Sequence, residues 1–192
     1  MEELSQHILD VAFNSLEAGA DRLEITVTEN TLTNLLQIEV RDNGRGISPE
    51  DIPRVMDPFF TTKKEKKVGL GIPLFREAAQ RCGGLFEIKP APRAGTVVTA
   101  AFPHDHLDRA PLGDIAGTLS VLIAGNTTFR LTYRHRYNEK NFSFDTKDFQ
   151  SLLGEDIPLR APEVLVWLGK HLIENIANLK EANTLEKFGR TG

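Results

Sequence analysis

The chain has 192 residues, of which 40% are hydrophobic and 26% are charged, so it can form one large domain or one ordinary domain plus a small one. Its single cysteine, Cys82, excludes an internal disulfide framework, and no apolar run of about 18 residues is present to span a bilayer. We therefore expect no membrane partner, and because the formal net charge of -4 gives no overall basic surface, we expect no nucleic-acid partner either. The acidic, amphipathic N-terminus lacks the features of a signal peptide, which favours the cytoplasm.

The N-terminal half alternates helical and strand patterns and predicts one layer of sheet against one layer of helices. We expect a helix at 3–18 that Gly19 closes, and strands at 22–28 and 34–41 whose alternation of polar and apolar residues predicts a hairpin. We also expect a short helix starting near Ser48 and ending near Val55, a helix of about three turns between the glycine turn at 69–71 and a double glycine, and strands at 85–89 and 95–102. Residues 57–69 fit neither period and are rich in lysine. This composition predicts an exposed loop, with a mobile lid at 59–69.

Two glycine-rich motifs and one pair of polar residues are notable for their order along the chain. The first motif, DxGxG, consists of Asp42, Gly44 and Gly46 and follows a predicted strand. The second motif, GxGxxL, consists of Gly69, Gly71 and Leu74 and follows the lid. Upstream, Asp10 and Asn14 lie one helical turn apart, so both side chains leave the same face of the first helix. Each feature alone is common, but together their order and spacing form a pattern.

In these motifs the chain resembles the GHKL superfamily of ATPases, or Bergerat fold, which includes gyrase, MutL and the sensor histidine kinases. Across residues 3–103, DVAFNSLEAGAD is similar to the N box, DNGRGI to the first glycine box, DPFFTTK to the F box, GLGIPL to the second glycine box and GTVVTAAF to the closing one. The resemblance implies an α/β (α+β) two-layer sandwich with a mixed sheet and an ATPase domain at 1–104. No helical hairpin with a phosphoacceptor histidine is seen ahead of it, so we expect a stand-alone domain.

The resemblance also implies a site for ATP, with roles assigned by position. Asp42 accepts a hydrogen bond from the exocyclic amine of adenine, and Thr96 assists through a water. The glycines let the backbone approach the base closely. The residues expected to line this site are Asn14, Asp42, Gly44, Gly46, Ile47, Phe60, Thr62, Lys63, Gly69, Leu70, Gly71, Leu74 and Thr96.

The phosphate end of such a site needs Mg²⁺ and backbone donors, because ATP carries about four negative charges. By resemblance, Asn14 is the Mg²⁺ ligand, since its amide oxygen binds a hard cation without adding charge. Gly69 and Gly71 offer N–H groups at a helix start, where the helix dipole favours an anion. Lys63 is the lysine expected to touch a phosphate, and the neighbouring lysines are expected to be solvated.

The type of residue at position 10 distinguishes two possible mechanisms. Within the superfamily that this chain resembles, most sensor histidine kinases carry an amide at this position, whereas MutL and gyrase carry a glutamate that takes a proton from water or a hydroxyl. The acid favours Asp10 as the general base, and the alternative is an acid that only orients Asn14 or a water. The remaining motifs are mixed, because NSLEAGAD is MutL-like and DPFFTTK is typical of the kinases.

Beyond residue 104 the resemblance stops, and residues 105–192 predict a small α+β C-terminal domain. We expect helices at 111–124, 146–153 and 161–182 and a hairpin at 127–146 that turns at Asn138. One face of this hairpin carries Arg130, Arg134 and Arg136. This face fits either a docking surface for an acidic partner or an ordinary solvated strand face.

The histidines up to residue 106 predict neither a metal site nor a phosphoacceptor site. The pair His104 and His106 is expected to lie in a solvated linker, because no further metal ligand accompanies it. His7 is expected to be a surface or packing residue rather than a phosphoacceptor.

Two classes of function remain open from the sequence. The first is a kinase-like ATPase that transfers or hydrolyses the γ-phosphate and regulates a partner. The second is an ATP-dependent conformational switch or interaction module with little turnover. Both require an unidentified protein partner or substrate, and both are compatible with a homodimer.

Overall fold

The structure, a computed structural model, describes residues 3–57, 70–91, 95–125, 129–154 and 156–188, with side chains to residue 180. The strands are β1 (Arg22–Asn30), β2 (Leu35–Asp42), β3 (Leu85–Pro90), β4 (Thr96–Pro103), β5 (Arg130–Tyr137) and β6 (Lys140–Asp145). The helices are α1 (Leu4–Glu17), α2 (Ile52–Val55), α3 (Gly71–Arg81), α4 (Ile115–Gly125), α5 (Thr146–Leu153) and α6 (Pro162–Phe188).

The described strands form one mixed sheet in the order β3-β4-β2-β1-β5-β6, covered on one face by helices. The hairpin predicted from alternation is confirmed, since β1 and β2 pair antiparallel from Leu23–Asp42 to Asn30–Leu35. In β1, Leu23, Ile25 and Val27 are fully buried toward the helices. Because side chains alternate between the two faces of a strand, this register turns the last residue of β2, Asp42, toward the helices as well. The predicted two-layer fold is confirmed.

The chain beyond residue 104 extends this sheet and does not form a separate one. β5 pairs with β1 in parallel, from Arg22–Arg130 to Glu29–Tyr137. The buried residues before and after residue 104 also form one continuous apolar core. Without β5, an edge of β1 would leave its backbone N–H and C=O groups unpaired. The division into domains at 1–104 and 105–192 therefore stays a prediction, and the two segments share one sheet.

Several local predictions are confirmed at the element ends, and one is wrong. α1 ends where Gly19 adopts φ 80°, and the β5–β6 hairpin turns at Asn138 with φ 51°. The helix expected from Ser48 begins only at Ile52, because Ser48 and Asp51 bond each other in a preceding turn with a 2.9 Å side-chain hydrogen bond. Within the part of the chain described, no helix combines the length and the apolar composition needed to cross a membrane.

A buried carboxylate ties the end of β1 to three other parts of the chain. Glu29 accepts hydrogen bonds from His104 Nε2 at 3.0 Å, from His135 Nε2 at 2.9 Å and from Lys180 Nζ at 2.9 Å. Burial raises the pKa of Glu29, but the bonds from His135, Lys180 and His104 and the charge of Lys180 outweigh it and lower the pKa to about 2 from 4.5. The expectation that His104 lies in a solvated linker is therefore wrong.

Replacing Glu29 by glutamine should lower the free energy of unfolding at pH 7 by roughly 3 kcal/mol, because it leaves buried donors facing an amide. A lowered pKa stabilises the fold above the unfolded-state value of 4.5, and this contribution is lost as the pH falls toward 2. The difference between wild type and Glu29→Gln in denaturant unfolding should shrink over that pH range. Glu24→Gln, on the exposed face of β1, is the matched control and should change stability by less than about 0.5 kcal/mol. A constant difference from pH 7 to pH 2 would contradict this prediction.

Candidate functional site

The carboxylate at the end of β2 is held by donors from three parts of the chain. Ser15 Oγ donates to Asp42 Oδ2 at 2.8 Å, and the N–H groups of Gly44 and Thr96 donate to Oδ1 at 2.8 and 3.2 Å. Asp42 is 8% exposed, so its carboxylate is fixed before any ligand arrives. Both lone-pair positions of Oδ1 are occupied, whereas Oδ2 retains one. Oδ2 is therefore the atom that can accept a hydrogen bond from a ligand.

The turn that follows Asp42 packs too closely against the backbone to admit side chains. A Cβ on Gly44 would lie 3.0 Å from the carbonyl oxygen of Ala18, and one on Gly46, at φ 77°, would lie 3.0 Å from the carbonyl oxygen of Gly95. Gly95 itself has φ 101°, and a Cβ there would collide with the carbonyl oxygen of Asp42. The glycines thus hold the DxGxG turn, the end of α1 and the start of β4 in one close-packed layer.

Asn43 fixes the same turn to the start of β1. Its Oδ1 accepts the N–H groups of Arg22 at 2.8 Å and of Asp21 at 3.1 Å, and its Nδ2 donates to Asp21 Oδ1 at 2.7 Å. The carbonyl oxygen of Asp21 in turn accepts the N–H group of Arg130, at the start of β5, at 2.8 Å. A short chain of hydrogen bonds therefore connects the DxGxG turn with the C-terminal half.

The second part of the predicted site lies where α1 meets α3. A Cβ built on Gly71 would be 2.9 Å from Cβ and 3.1 Å from Oδ2 of Asp10, so the helix start and the carboxylate are in direct contact. The N-cap residue of α3 is Leu70, whose apolar side chain cannot cap the first N–H groups of the helix. N–H groups of a first helical turn have no partner within the helix and can bind an anion. Asn14, half-buried, lies one turn beyond Asp10 on α1.

The other predicted site residues are distributed as follows. Ile47 packs against the apolar core, and Leu70 is 46% exposed at the start of α3. Leu74 is half-buried and lines a groove together with His7. His7 stacks on Phe75 at 5.1 Å, so its predicted packing role is confirmed. Four predicted site residues lie outside the described residues: Phe60, Thr62, Lys63 and Gly69.

The sequence motifs include Asn43 and Gly95 but assign them no role in the site, and Ser15 lies in the N box without a role. Ser15 continues the buried face of Leu4, Ile8 and Val11 at helical spacing, and a small polar residue on such a face is the signal that points to a buried partner. The resemblance predicts that Thr96 acts through a water, whereas the structure shows its backbone N–H donating directly to Asp42.

Replacing Ser15 by alanine should weaken nucleotide binding about fivefold, because Asp42 Oδ2 loses the hydroxyl donor that positions it, and only the two bonds to Oδ1 remain. We expect a loss of about 1 kcal/mol in the free energy of unfolding as well, since the variant leaves a buried acceptor with one bond fewer. Calorimetric titration and denaturant unfolding measure the two effects. Ser151→Ala, an exposed serine on α5, is the control and should change neither. Unaltered affinity in Ser15→Ala would remove this residue from the site.

The arginine face of β5 is largely neutralised within the chain. Arg130 pairs with Asp145 at 3.0 Å, and Arg134 pairs with Glu24 at 3.2 Å. Arg136 donates to the carbonyl oxygen of Asn138 at 2.9 Å. These contacts favour the ordinary solvated strand face over a docking surface for an acidic partner.

A mixed sheet covered on one face, a glycine turn beside a buried acid, and a glycine-led helix facing α1 together define a Bergerat-type ATPase domain. The family described as "Histidine kinase-, DNA gyrase B-, and HSP90-like ATPase" matches residues 1–106. These residues are more than half of the chain, and the chain belongs to this family.

Curated relatives match the same region. Sporulation kinase D of Bacillus subtilis is 36% identical over 102 residues, which are 53% of this chain and 20% of the relative. Histidine protein kinase DivJ of Caulobacter vibrioides is 35% identical over 104 residues, which are 52% of this chain and 17% of the relative. The matched region thus spans about a fifth of the length of these kinases.

Among solved structures, the Aquifex aeolicus MutL ATPase domain complexed with ADP has a TM-score of 0.50 at 15% identity. The likeness covers 74% of this chain and 64% of that one. Since 74% of 192 residues is about 142, the likeness in fold must include residues beyond 106. It supports the fold.

Proposed function

We propose that this chain binds ATP and either transfers or hydrolyses its γ-phosphate. The main support for the proposal is the buried carboxylate of Asp42. Its Oδ1 already accepts two hydrogen bonds, whereas its Oδ2 accepts one and can accept another. The exocyclic amine of adenine donates to this position, and the glycine turn lets the flat base lie against the backbone. The ADP bound by the MutL domain, which shares the fold, agrees with a nucleotide at this site.

The phosphate end of the proposed site offers an oxygen ligand of the kind that Mg²⁺ prefers. Asn14 would hold the ion through its amide oxygen, a ligand type that hard divalent cations accept. When bound, Mg²⁺ supplies positive charge that neutralises the phosphate oxygens. The first turn of α3, at Gly71, offers backbone N–H groups and the positive end of a helix dipole to the same phosphates.

Asp10 is proposed as the general base. Its carboxylate contacts the start of α3 and shares the α1 face of Asn14, so it faces the phosphate end and not the adenine end. It takes the proton from a water or a hydroxyl group as that oxygen attacks the γ-phosphorus, and ADP leaves. The other role that this position supports is orientation of Asn14 or of a water.

A second candidate function, an ATP-dependent switch with little turnover, is favoured by the connection between Asn43, Asp21 and Arg130. A shift of the adenine turn on nucleotide binding would be transmitted to the start of β5 and thus to residues 105–192. In either case we propose a protein partner or substrate, a cytoplasmic location and no nucleic-acid partner.

One experiment distinguishes the two functions. The purified chain is incubated with γ-labelled ATP and cell extract, and both free phosphate and labelled protein are followed. Free phosphate would indicate an ATPase, and a labelled protein would indicate a phosphotransferase. Neither product, together with an ATP-dependent change in protein binding, would support the switch. Neither product and no such change would contradict both.

A further inference from the structure

A cavity of about 200 Å³ lies in the C-terminal half of the protein, outside the proposed nucleotide site. One wall is apolar and consists of Ile123 from α4, Phe129 just before β5, and Leu159. Ile123 and Phe129 are 3% and 8% exposed, so this wall is part of the core and is not a loose surface patch. For scale, an apolar cavity of about 150 Å³ accommodates benzene. The volume therefore suits one ring, or a short aliphatic chain, plus a small polar group.

Two polar side chains from α5 line the same cavity. Gln150 Nε2 donates both its hydrogens, to the carbonyl oxygens of Gly154 at 2.7 Å and Ile157 at 2.9 Å, which leaves Oε1 as an acceptor. Thr146, which is 5% exposed, accepts the N–H group of Leu131 at 2.9 Å. Among the described residues, nothing accepts the hydroxyl hydrogen of Thr146. A buried donor of this kind favours a ligand with an acceptor oxygen.

Arg160 completes the lining at the solvent side. In the part of the chain that the structure describes, no carboxylate forms an ion pair with it, unlike Arg130 and Arg134. A guanidinium group has five donors in a planar fork that matches a carboxylate. The cavity thus combines an apolar wall, a buried hydroxyl donor and a cation that pairs with no carboxylate among the described residues.

We propose that this cavity binds a small monocarboxylate with an apolar body of about one ring. The carboxylate is placed between Arg160 and the Thr146 hydroxyl, and the apolar body lies against Phe129, Ile123 and Leu159. A free inorganic anion would leave the apolar wall unfilled, and a neutral apolar compound would leave the cation and the hydroxyl without an acceptor. The proposal is independent of nucleotide binding, since none of these residues belongs to the nucleotide site.

The test uses the full chain and phenylacetate as the probe, with binding followed by ligand-observed NMR titration. We expect saturable binding of phenylacetate. Acetate, which lacks the apolar body, and 2-phenylethanol, which lacks the charge, should each bind at least about tenfold more weakly. Arg160→Gln should weaken phenylacetate binding at least about tenfold, and Arg160 is exposed, so the variant should keep the melting temperature of the wild type.

Arg136→Gln is the matched control, because it removes an exposed arginine from the opposite face of the sheet, and it should leave binding unchanged. Absence of saturable phenylacetate binding would overturn the proposal. Equal binding of 2-phenylethanol, or equal affinity in the folded Arg160→Gln variant, would also overturn it, because the cavity would then recognise only apolar bulk.

Discussion

Asp10→Asn should lower phosphate release or transfer by about 10²–10⁴-fold while nucleotide still binds. The substitution keeps the size and the hydrogen-bonding capacity of the side chain but removes its ability to accept a proton. Asp10 contacts the start of α3 at Gly71, so the change is made at the phosphate end and leaves Asp42 and its donors intact. Turnover of γ-labelled ATP and calorimetric titration of Mg²⁺ and ATP measure the two effects separately.

Two further variants test whether this result is specific to the loss of the general base at position 10. Glu17→Gln changes another acid on α1, two turns away, and should leave turnover within about twofold of the wild type. Asn14→Ala should instead weaken Mg²⁺-dependent binding itself, because it deletes the proposed ligand. Equal, measurable turnover in wild type and Asp10→Asn would exclude the role as base and would leave orientation as the function of this acid.

Asp42→Asn should lower nucleotide affinity by more than about a hundredfold. An amide at this position presents a donor to the adenine amine, and a buried mismatch of this kind costs about 1–3 kcal/mol. The same change sets an NH₂ group against Ser15 or against the N–H groups of Gly44 and Thr96, which costs a further charge-assisted hydrogen bond of about 1.5–3 kcal/mol. The expected loss of nucleotide affinity therefore has two sources: a weaker contact with adenine, and a DxGxG turn that is held less firmly.

Asp105→Asn, an exposed aspartate after β4, is the matched control for the loss of one negative charge and should bind nucleotide as the wild type does. Circular dichroism and thermal unfolding establish that Asp42→Asn remains folded. A folded Asp42→Asn protein with wild-type affinity would show that adenine is recognised elsewhere.

The sequence alone predicts the features that depend on residues close to one another along the chain. Strand alternation predicted the β1–β2 hairpin, and Gly19 and Asn138 marked turns that require a positive φ. The DxGxG motif located Asp42 at the end of a buried strand, because its side chain must follow the alternation of β2. These predictions needed only local periodicity and turn chemistry.

The features that the sequence did not predict are contacts between distant parts of the chain. The pairing of β1 with β5 joins residues more than a hundred positions apart, and alternation alone does not select a partner or a register. The bonds from Ser15 to Asp42 and from Lys180 to Glu29 likewise depend on packing of helices on the sheet. Polar residues in such positions look like surface residues until the fold places them together.

Calorimetric titration of the purified chain with ATP and Mg²⁺, for wild type, Asp42→Asn and Asp10→Asn in parallel, tests the central claim most directly. We expect saturable binding of one nucleotide per chain to the wild type, similar binding to Asp10→Asn, and a loss of more than about a hundredfold in Asp42→Asn. No saturable binding to the wild type, or equal binding to the folded Asp42→Asn protein, would contradict the assignment of this site to adenine nucleotide.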